Sequence, residues 1–462
     1  MANQFNRRQM IHSLLGGSLV FPGIVSELSA ATTPQSAMRN PQSNNPLAPR
    51  LPHFPAKAKR VIFLYSTGGV AQMETFDPKP KLVAAAEQKG LGANGRLLLR
   101  PQWDFKPNAQ CGTEVSDLFP HLREMMHEVC VIRSMKTDHN EHFQGTLGMH
   151  TGSVTFKRPC MGSWVSYGLG TENQNLPSFI VLAPYLPYAG GQVWSSDFLP
   201  AVHQGTRVIP GSEPIPDLVR RSLSDRIQQR ELELLADINS QHLLTRTNDS
   251  SLAARLKSFE TAFGMQQQMP EVLDLSKETD ATLKLYGITR DDTKSYGWQC
   301  LVARRLAERG VRFIELIDTG SNNNWDGHSN IKGYEKLARN IDQPIAGLLR
   351  DLKSRGMLDD TLVVWTTEYG RTPWTDQPDG RGHHNFVFSS WMAGGGVKPG
   401  ITYGQSDEYG DQVAENEVHL HDFHATILHL LGFEHTRLTY RHGGRDYRLT
   451  DVHGNVVKGV LA

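Results

Sequence analysis

The chain has 462 residues, which is enough for one large α/β domain with insertions or for two domains. Hydrophobic residues make up 39% of it and charged residues 21%, which is typical of a soluble globular protein. Its 48 basic and 48 acidic side chains cancel, and no basic stripe stands out, so the composition disfavours a nucleic-acid binder.

The N-terminus has the pattern of an export signal. The pair Arg7 and Arg8 precedes an apolar run at 14–25, and small residues ending at Ala31 are spaced like a cleavage site. The apolar run is too short for a good transmembrane helix, and no later segment is suited to span a membrane. We predict a twin-arginine signal at 1–31 that directs the protein to the periplasm or the cell exterior; the alternative is a disordered basic tail.

Apolar runs of strand length alternate with helical patterns along the rest of the chain. The runs predict buried strands at 60–65, 128–133, 177–182, 311–317, 361–367 and 386–393. Amphipathic spacing predicts helices at 118–127, 296–310, 334–355 and 418–431. This alternation predicts an α/β fold with a central, mostly parallel sheet that is covered on both faces.

Composition also suggests how the chain is divided. Residues 32–56 are rich in Pro, Asn, Ser and Ala and are predicted to be a linker, and 57–462 form one domain. A charged stretch with helical spacing predicts a helical insertion at about 215–290. The four cysteines form no CxxC pair, which argues against a zinc ribbon and a disulfide scaffold; one or two bridges and buried free thiols both stay open.

Polar clusters follow four of the predicted strands. Because ligands gather beyond the carboxyl ends of parallel strands, these clusters are candidate sites. They contain Glu74 and Asp77; Thr137 and His142; Asp326 and His328; and Glu368, Arg371, His383 and His384. Carboxylates and imidazoles that converge from separate loops are the ligands of a divalent metal such as zinc.

Several of these residues have a structural alternative. Asp326 and His328 are also suited to cap the helix that follows, and Glu368 is placed to form an ion pair with Arg371. The pair at 383–384 lies between Gly and Asn, which is not the pattern of an apolar helix face. We therefore favour a site role for at least one of these two histidines.

Three other features are better explained by structure than by chemistry. Asp77 begins the sequence DPKP, which predicts a rigid turn. The run Gly394–Gly396 lacks the Lys-Ser/Thr of a phosphate-binding loop and predicts a tight turn. The histidines at 421, 424 and 429 lie within or beside the closing helix, where packing is the expected role.

Six segments together resemble the DUF1501 family, which lies within the alkaline phosphatase/sulfatase superfamily. They are GGVAQMETFDPKP, WDGH, TTEYGRTP, GRGHHNFVFSSWMAGGG, DFHATILHLLG and GGRDYRLTDVHG. The resemblance runs from about residue 57 to the C-terminus, and the export signal also fits the family. It implies an alkaline-phosphatase-like three-layer sandwich with a central, mostly parallel sheet.

The wider superfamily resemblance implies a site with two metals. Asp326 and His328 would bind one metal together with His383 or His384, and Glu368 would take the place of the second metal's Asp. Glu74 or Asp77 would substitute for an Asp that phosphatases carry at the end of the first strand.

The same resemblance implies a covalent nucleophile at the start of the helix after the second strand. His142 or its neighbours occupy that position, and Thr137 is the nearest hydroxyl before it; a metal-bound water is the alternative nucleophile. Arg371 or Arg381 would neutralise the oxyanion.

The sequence also departs from the superfamily pattern. Glu368 and Tyr369 stand where the superfamily has an Asp-His pair, and a Tyr with a pKa of about 10 is a poor zinc ligand. Cys160 follows Pro159, but no Pro-x-Arg comes after it, so a formylglycine sulfatase is disfavoured.

Two functional hypotheses follow. The first is an exported metal-dependent hydrolase of phosphate or sulfate esters, acting on a small-molecule or glycan ester. The second is a non-catalytic relative that binds a glycan or a partner protein. The His, Asp and Glu residues at strand ends favour the first, and the altered Asp-His pair favours the second.

Overall fold

The computed structural model describes residues 45–92, 95–216, 218, 224–244, 250–320 and 324–462. The predicted signal at 1–31 and the first part of the predicted linker lie outside these residues. The rest of the predicted linker has no helix or strand and runs against the domain: Leu47 is buried, and the Arg50 backbone amide donates to the Leu169 carbonyl at 2.9 Å.

The strands of the described residues are mostly short. In chain order they are β1 (Arg60–Ser66), β2 (Phe105–Pro107), β3 (Glu114–Ser116), β4 (Val129–Lys136), β5 (Phe179–Leu182), β6 (Thr206–Val208), β7 (Phe313–Asp318), β8 (Thr361–Thr366), β9 (Gly370–Thr375), β10 (Arg381–His384), β11 (Phe388–Ala393), β12 (Ile401–Tyr403), β13 (Gln405–Ser406), β14 (Val413–Glu415), β15 (Val418–His419), β16 (Tyr440–His442) and β17 (Arg445–Tyr447).

The α-helices lie between these strands. They are α1 (Gln72–Thr75), α2 (Pro80–Glu87), α3 (Pro120–Arg123), α4 (His142–Thr151), α5 (Met161–Leu169), α6 (Asp225–Leu244), α7 (Ser250–Leu273), α8 (Asp280–Leu285), α9 (Tyr296–Glu308), α10 (Tyr334–Ser354) and α11 (Leu420–Leu430). Helices α6 to α8 lie within the stretch predicted to be a helical insertion. Across the described parts of the chain, no helix is both long and apolar enough to cross a membrane.

One mixed, mostly parallel sheet organises the fold. Its strand order is β12-β4-β11-β8-β1-β7-β5-β6, and β15 also pairs with β4. Only β11 is antiparallel to its neighbours in this sheet. The chain leaves the sheet at the carboxyl end of β8, forms the β9–β10 ribbon and re-enters the sheet at the same edge. Strand β11 therefore runs antiparallel to β8. The predicted parallel sheet is confirmed, and this antiparallel strand is an addition to it.

Alternate side chains of β1 enter two separate cores. Ile62 and Leu64 pack in the core shared with α9 and α10, whereas Phe63 and Tyr65 pack in the core shared with α4, α5 and α11. The molecule is therefore an α/β sandwich of three layers, with the sheet in the middle. All six predicted strands are confirmed, but the helix predicted at 118–127 is reduced to the single turn of α3 and a short 3₁₀ turn.

The cysteines form no disulfide, which settles the open alternative in favour of free thiols. Cys130, Cys160 and Cys300 are buried, and Cys111 is half-buried. Burial raises the pKa of the Cys130 and Cys160 thiols to about 12, so both are uncharged at neutral pH. Their role is packing in the core.

Candidate metal centre

Four metal-ligating side chains meet at the carboxyl edge of the sheet. His142 begins α4 after β4, Asp326 and His328 lie in the loop after β7, and His383 lies on β10 after β8. Each offers one ligand atom, and these four atoms lie within 4.8 Å of one another. We call these four residues the strand-end cluster.

A glycine turn after β1 lets the loops approach this closely. Gly68 and Gly69 have φ angles of +113° and +72°. A Cβ on Gly68 would lie 2.6 Å from the backbone nitrogen of Asp326, and one on Gly69 would lie 2.5 Å from the Tyr369 ring. Both positions therefore require glycine, for conformation and for space.

The ligand atoms of the strand-end cluster face one another directly. His328 Nε2 and His383 Nε2 are 2.7 Å apart. Asp326 Oδ1 lies 3.1 Å from the first of these nitrogens and 3.4 Å from the second. Asp326 Oδ2 lies 3.2 Å from His142 Nε2, which is buried and has no well-aligned hydrogen bond. Three imidazole nitrogens and one carboxylate thus surround one point.

His142 is held from behind by a buried carboxylate. Its Nδ1 lies 2.9 Å from Glu368 Oε1 and 2.8 Å from the Tyr369 hydroxyl, and its ring stacks on Tyr188 with centroids 4.0 Å apart. A carboxylate only accepts hydrogen bonds, so we infer that Nδ1 carries a proton; when the ring is neutral, its Nε2 lone pair faces the cluster.

His328 is oriented in the same way by a different carboxylate. Its Nδ1 lies 2.7 Å from Asp376 Oδ2, and Asp376 also pairs with Arg96 at 2.7 Å. The Nε2 lone pair of neutral His328 is therefore directed at His383. Two facing nitrogens at this distance either share a proton in an N–H···N hydrogen bond, with His383 as the donor, or both bind one cation.

The protonation states in the cluster follow from burial and charge. Burial opposes ionisation of Asp326, but its contacts with His142 and His383 and the charge of Arg371 hold its pKa far below the usual range. Burial alone would lower the pKa of His142, but Asp326 and Glu368 outweigh it and raise that pKa. Burial, reinforced by the charge of Arg371, lowers the pKa of His383. The cluster therefore holds one anionic carboxylate and at least one neutral imidazole.

The sequence of the domain matches one family model throughout. The model described as "Protein of unknown function (DUF1501)" matches residues 58–461. The chain belongs to the DUF1501 family. Among proteins with curated descriptions, none matches this DUF1501 chain at a significant level.

Three solved structures show a low level of similarity to the DUF1501 chain. Alkaline phosphatase from the Antarctic bacterium TAB5 is 12% identical, with a TM-score of 0.33 over 82% of this chain and 99% of that one. A protein in the alkaline phosphatase superfamily from Vibrio parahaemolyticus is 11% identical, with a TM-score of 0.36 over 93% and 76%. The lipoteichoic acid synthase LtaP from Listeria monocytogenes is 11% identical, with a TM-score of 0.35 over 83% and 74%. Values this low give no information about activity.

Glu368, predicted as a metal ligand, contacts the strand-end cluster through His142. Its side chain is fully buried and accepts hydrogen bonds from the Gly68 backbone amide at 2.7 Å and the Tyr65 hydroxyl at 3.1 Å. Burial would raise the pKa of Glu368, but its hydrogen bond and attraction to His142 hold it below the usual value. These contacts give Glu368 the geometry of a carboxylate that orients a histidine ligand.

Arg371, predicted to neutralise an oxyanion, has no exposed surface. Its guanidinium donates to the carbonyls of Gly68, Gly69 and Arg381 and pairs with Asp326. The structure therefore places Arg371 beneath the cluster, where it balances the charge of Asp326 and anchors the glycine turn. Because Nε, Nη1 and Nη2 are all engaged in these contacts, Arg371 is not placed to bind a substrate anion.

Two further predicted ligands are engaged in separate ion pairs. Glu74 Oε1 lies 2.7 Å from Arg381 Nη2 and 2.9 Å from Arg381 Nε, and both side chains are fully buried. Arg381, the other predicted oxyanion partner, is thereby committed to Glu74. Asp77 pairs with Lys79 at 2.8 Å and accepts from the Ser406 hydroxyl. These contacts support the structural alternative for Asp77 as part of a turn.

The last two predicted residues, His384 and Thr137, are not part of the strand-end cluster. His384 contacts Asp411 through Nε2, whereas its neighbour His383 faces the cluster. Thr137 is only 2% exposed, and its hydroxyl has no hydrogen-bond partner. Its backbone is tied to Asn385, whose side-chain amide donates to the Thr137 carbonyl at 3.0 Å.

Two residues at the site were not anticipated from the sequence. Asp376 lies in the polar turn between β9 and β10. It comes seven residues before His383, and this closeness in sequence could have indicated a role at the site. Tyr188 lies in the loop after β5, and its hydroxyl is buried without a hydrogen-bond partner. Burial raises the pKa of Tyr188, and Asp326 and Glu368 raise it further, so the phenol remains a hydrogen-bond donor at neutral pH.

Proposed function

We propose that this DUF1501 protein is a divalent-metal-dependent hydrolase of phosphate or sulfate esters that is exported through the twin-arginine pathway. One observation carries the catalytic part of this proposal. His142 and His328 are each held at Nδ1 by a carboxylate, while their Nε2 atoms converge with Asp326 and His383 on one point. Carboxylate–histidine–metal arrangements have this form in zinc proteins.

The donor set suits a metal of intermediate hardness, such as zinc. Three imidazole nitrogens and one carboxylate oxygen are ligand types that zinc takes, and an ester oxygen would be a fifth ligand, whereas Mg²⁺ and Ca²⁺ prefer oxygen ligands throughout. A cation at this point also resolves the contact between His328 Nε2 and His383 Nε2 without a shared proton. We assign Asp326, His328, His383 and His142 as the ligands.

A divalent cation held here supplies Lewis-acid chemistry that polarises the oxygens of a phosphate or sulfate ester. The protein's own groups orient and complement that chemistry. Arg371 keeps Asp326 ionised, and Glu368 and Asp376 keep the histidine rings in place. The unpaired Tyr188 hydroxyl is positioned to donate to an ester oxygen.

We propose that the attacking group is water. Thr137 is 2% exposed as a whole residue, and His142 presents its Nε2 to Asp326 rather than to an open cleft. Attack by water on phosphorus or sulfur releases the alcohol and the inorganic anion, with no covalent enzyme intermediate. A small-molecule or glycan ester is the substrate class that we propose.

The test combines metal content with turnover. Purified protein is loaded with zinc, manganese, magnesium or calcium and assayed on p-nitrophenyl phosphate and p-nitrophenyl sulfate. We expect hydrolysis of at least one ester, and we expect Asp326→Asn and His328→Ala to lose this turnover together with the metal. His121→Ala, which changes an exposed histidine on α3, is the matched control and should keep both.

Two results would count against the hydrolase. Turnover that survives Asp326→Asn would separate the activity from this cluster. A bound metal without turnover on either ester would favour the alternative, a non-catalytic protein that binds a glycan or a partner protein. Mass spectrometry of the mature N-terminus, with an Arg7→Lys/Arg8→Lys variant for comparison, tests the export signal.

A further inference from the structure

A second group of metal-ligating side chains lies outside the strand-end cluster. Asp138 follows β4, His419 ends β15, and His421 lies in the first turn of α11. Each offers one ligand atom, and these atoms lie within 4.8 Å of one another. Strand β15 pairs in parallel with β4, with His419 opposite Lys136, so both strands end at the same place. We call these three residues the edge cluster.

One ring nitrogen of a histidine in the edge cluster is buried without a hydrogen-bond partner. His419 Nε2 lies 3.0 Å from Asp138 Oδ1. His421 is only 5% exposed, and its Nδ1 is buried without a hydrogen-bond partner. A buried polar atom without a partner is unfavourable, and in a native fold it calls for an explanation such as an ion.

The backbone holds the two histidines on one rigid turn. His419 is the N-cap of α11, its backbone amide donates to Asp422 at 3.2 Å, and its Nδ1 accepts from the His421 amide at 3.4 Å. The exposed His453 ring packs beside His421, with centroids 5.1 Å apart. The edge cluster is thus preorganised by a helix cap and bordered by a third imidazole.

We propose that Asp138, His419 and His421 form a second divalent-metal site, suited to zinc, that is separate from the strand-end cluster. Two imidazoles and one carboxylate match the protein ligands of zinc sites that keep one position open. Nitrogen ligands select zinc and its neighbours in the transition series over Mg²⁺ and Ca²⁺. The sequence pattern had predicted only packing for His421.

The exposure of the edge cluster makes this second metal exchangeable. The Asp138 side chain is 52% exposed, so a cation would reach solvent directly. Binding at His419 Nε2 places the proton of the neutral ring on Nδ1, which breaks the long hydrogen bond from the His421 amide. Asp422 keeps its bond to the His419 amide, so the cap survives with one contact fewer. We therefore expect weaker zinc binding here than at the strand-end cluster.

The experiment uses full-length protein in which the strand-end cluster is disabled by Asp326→Asn and His328→Ala. Zinc per chain is measured by mass spectrometry after dialysis, and Co²⁺ is titrated to record the visible absorption of its nitrogen-ligated form. We expect one zinc per chain. Adding His419→Asn, which keeps a residue type suited to the helix cap, should weaken zinc binding at least about tenfold.

Asp138→Asn should weaken zinc binding in the same way, and His442→Asn, in an exposed hairpin, should leave it unchanged. Circular dichroism in the presence of a chelator checks that every variant is folded. The proposal is overturned if the disabled background binds no zinc, or if its zinc is unaffected by both His419→Asn and Asp138→Asn. Ester turnover of wild-type protein is tested separately, so failure of the hydrolase and failure of this site remain distinguishable.

Discussion

Replacing Asp376 by Asn tests the assignment of His328 as a metal ligand most directly. Asp376 touches the strand-end cluster only through His328 Nδ1, at 2.7 Å. The amide of Asn keeps an oxygen that accepts this hydrogen bond, so the ring stays in place while the negative charge behind it is lost. The change therefore acts on the basicity of His328 rather than on its position.

The structure sets the size of the expected effect. Loss of an outer carboxylate typically weakens metal binding by about 10–100-fold, which is about 1.4–2.7 kcal/mol. The Asp376 side chain is 28% exposed and shares its charge with Arg96 at 2.7 Å. Solvent and Arg96 both reduce the field at His328, so we expect the lower end of this range, about tenfold.

Zinc affinity would be measured by competition with a chromophoric chelator. The measurements use the Asp138→Asn background, so that the edge cluster does not contribute. Asp379→Asn is the matched control, because Asp379 lies in the same turn and its side chain is exposed. An Asp376→Asn affinity within about twofold of the background would refute the role of Asp376, and equal losses in both variants would indicate a general effect on the turn.

Three further predictions concern other parts of the molecule. Tyr188→Phe keeps the ring that stacks on His142 but removes the unpaired hydroxyl. We expect kcat/KM for ester hydrolysis to fall about tenfold while zinc affinity is unchanged. Equal rates for the two proteins would exclude the hydroxyl from catalysis. Gly68→Ala should lower the free energy of unfolding in urea by at least about 2 kcal/mol, because the new Cβ clashes with the Asp326 backbone. Gly443→Ala, with open space around it, should lower that free energy by about 1 kcal/mol. Similar losses would mean that the positive φ angle, and not the clash, determines the cost. Burial, reinforced by the charge of Arg50, lowers the pKa of His203 from 6.5 to about 3. Below pH 6.5 the unfolded chain therefore binds a proton that the folded state does not, and the free energy of unfolding falls on acidification. Between pH 6.5 and 4.5 the wild type should lose about 2 kcal/mol more than His203→Gln, and parallel stability curves would contradict the assignment.

Much of the sheet was predictable from local sequence. β1 and β8 are continuous apolar runs of strand length, and the structure buries both in the middle of the sheet. Such a run is strongly specified, because both faces of the strand must be covered. The antiparallel direction of β11 was not predictable in this way, because an apolar run has the same composition in either direction. Its direction depends on the β9–β10 ribbon, which returns the chain to the sheet at the carboxyl end of β8.

The candidate site was predicted in its location but only partly in its membership. Asp326, His328 and His383 meet as the strand-end positions indicated, whereas Glu74 and Asp77 lie in ion pairs with Arg381 and Lys79. Sequence marks residues that follow strands, but a loop carries its side chains in several directions. Contacts between residues hundreds of positions apart decide whether a carboxylate lies in the metal cluster or pairs with an arginine.

The sequence by itself determined the α/β class, the family and the strand ends at which chemistry gathers, because these follow from local periodicity and short motifs. It also predicted a site role for at least one of two adjacent histidines. Only the tertiary structure decided that His383 faces the strand-end cluster and His384 faces Asp411, since neighbouring residues on a strand point to opposite sides. The edge cluster shows the same division: His419 and His421 share one turn, but Asp138 is 281 residues from His419 along the chain, and only the pairing of β15 with β4 brings them together.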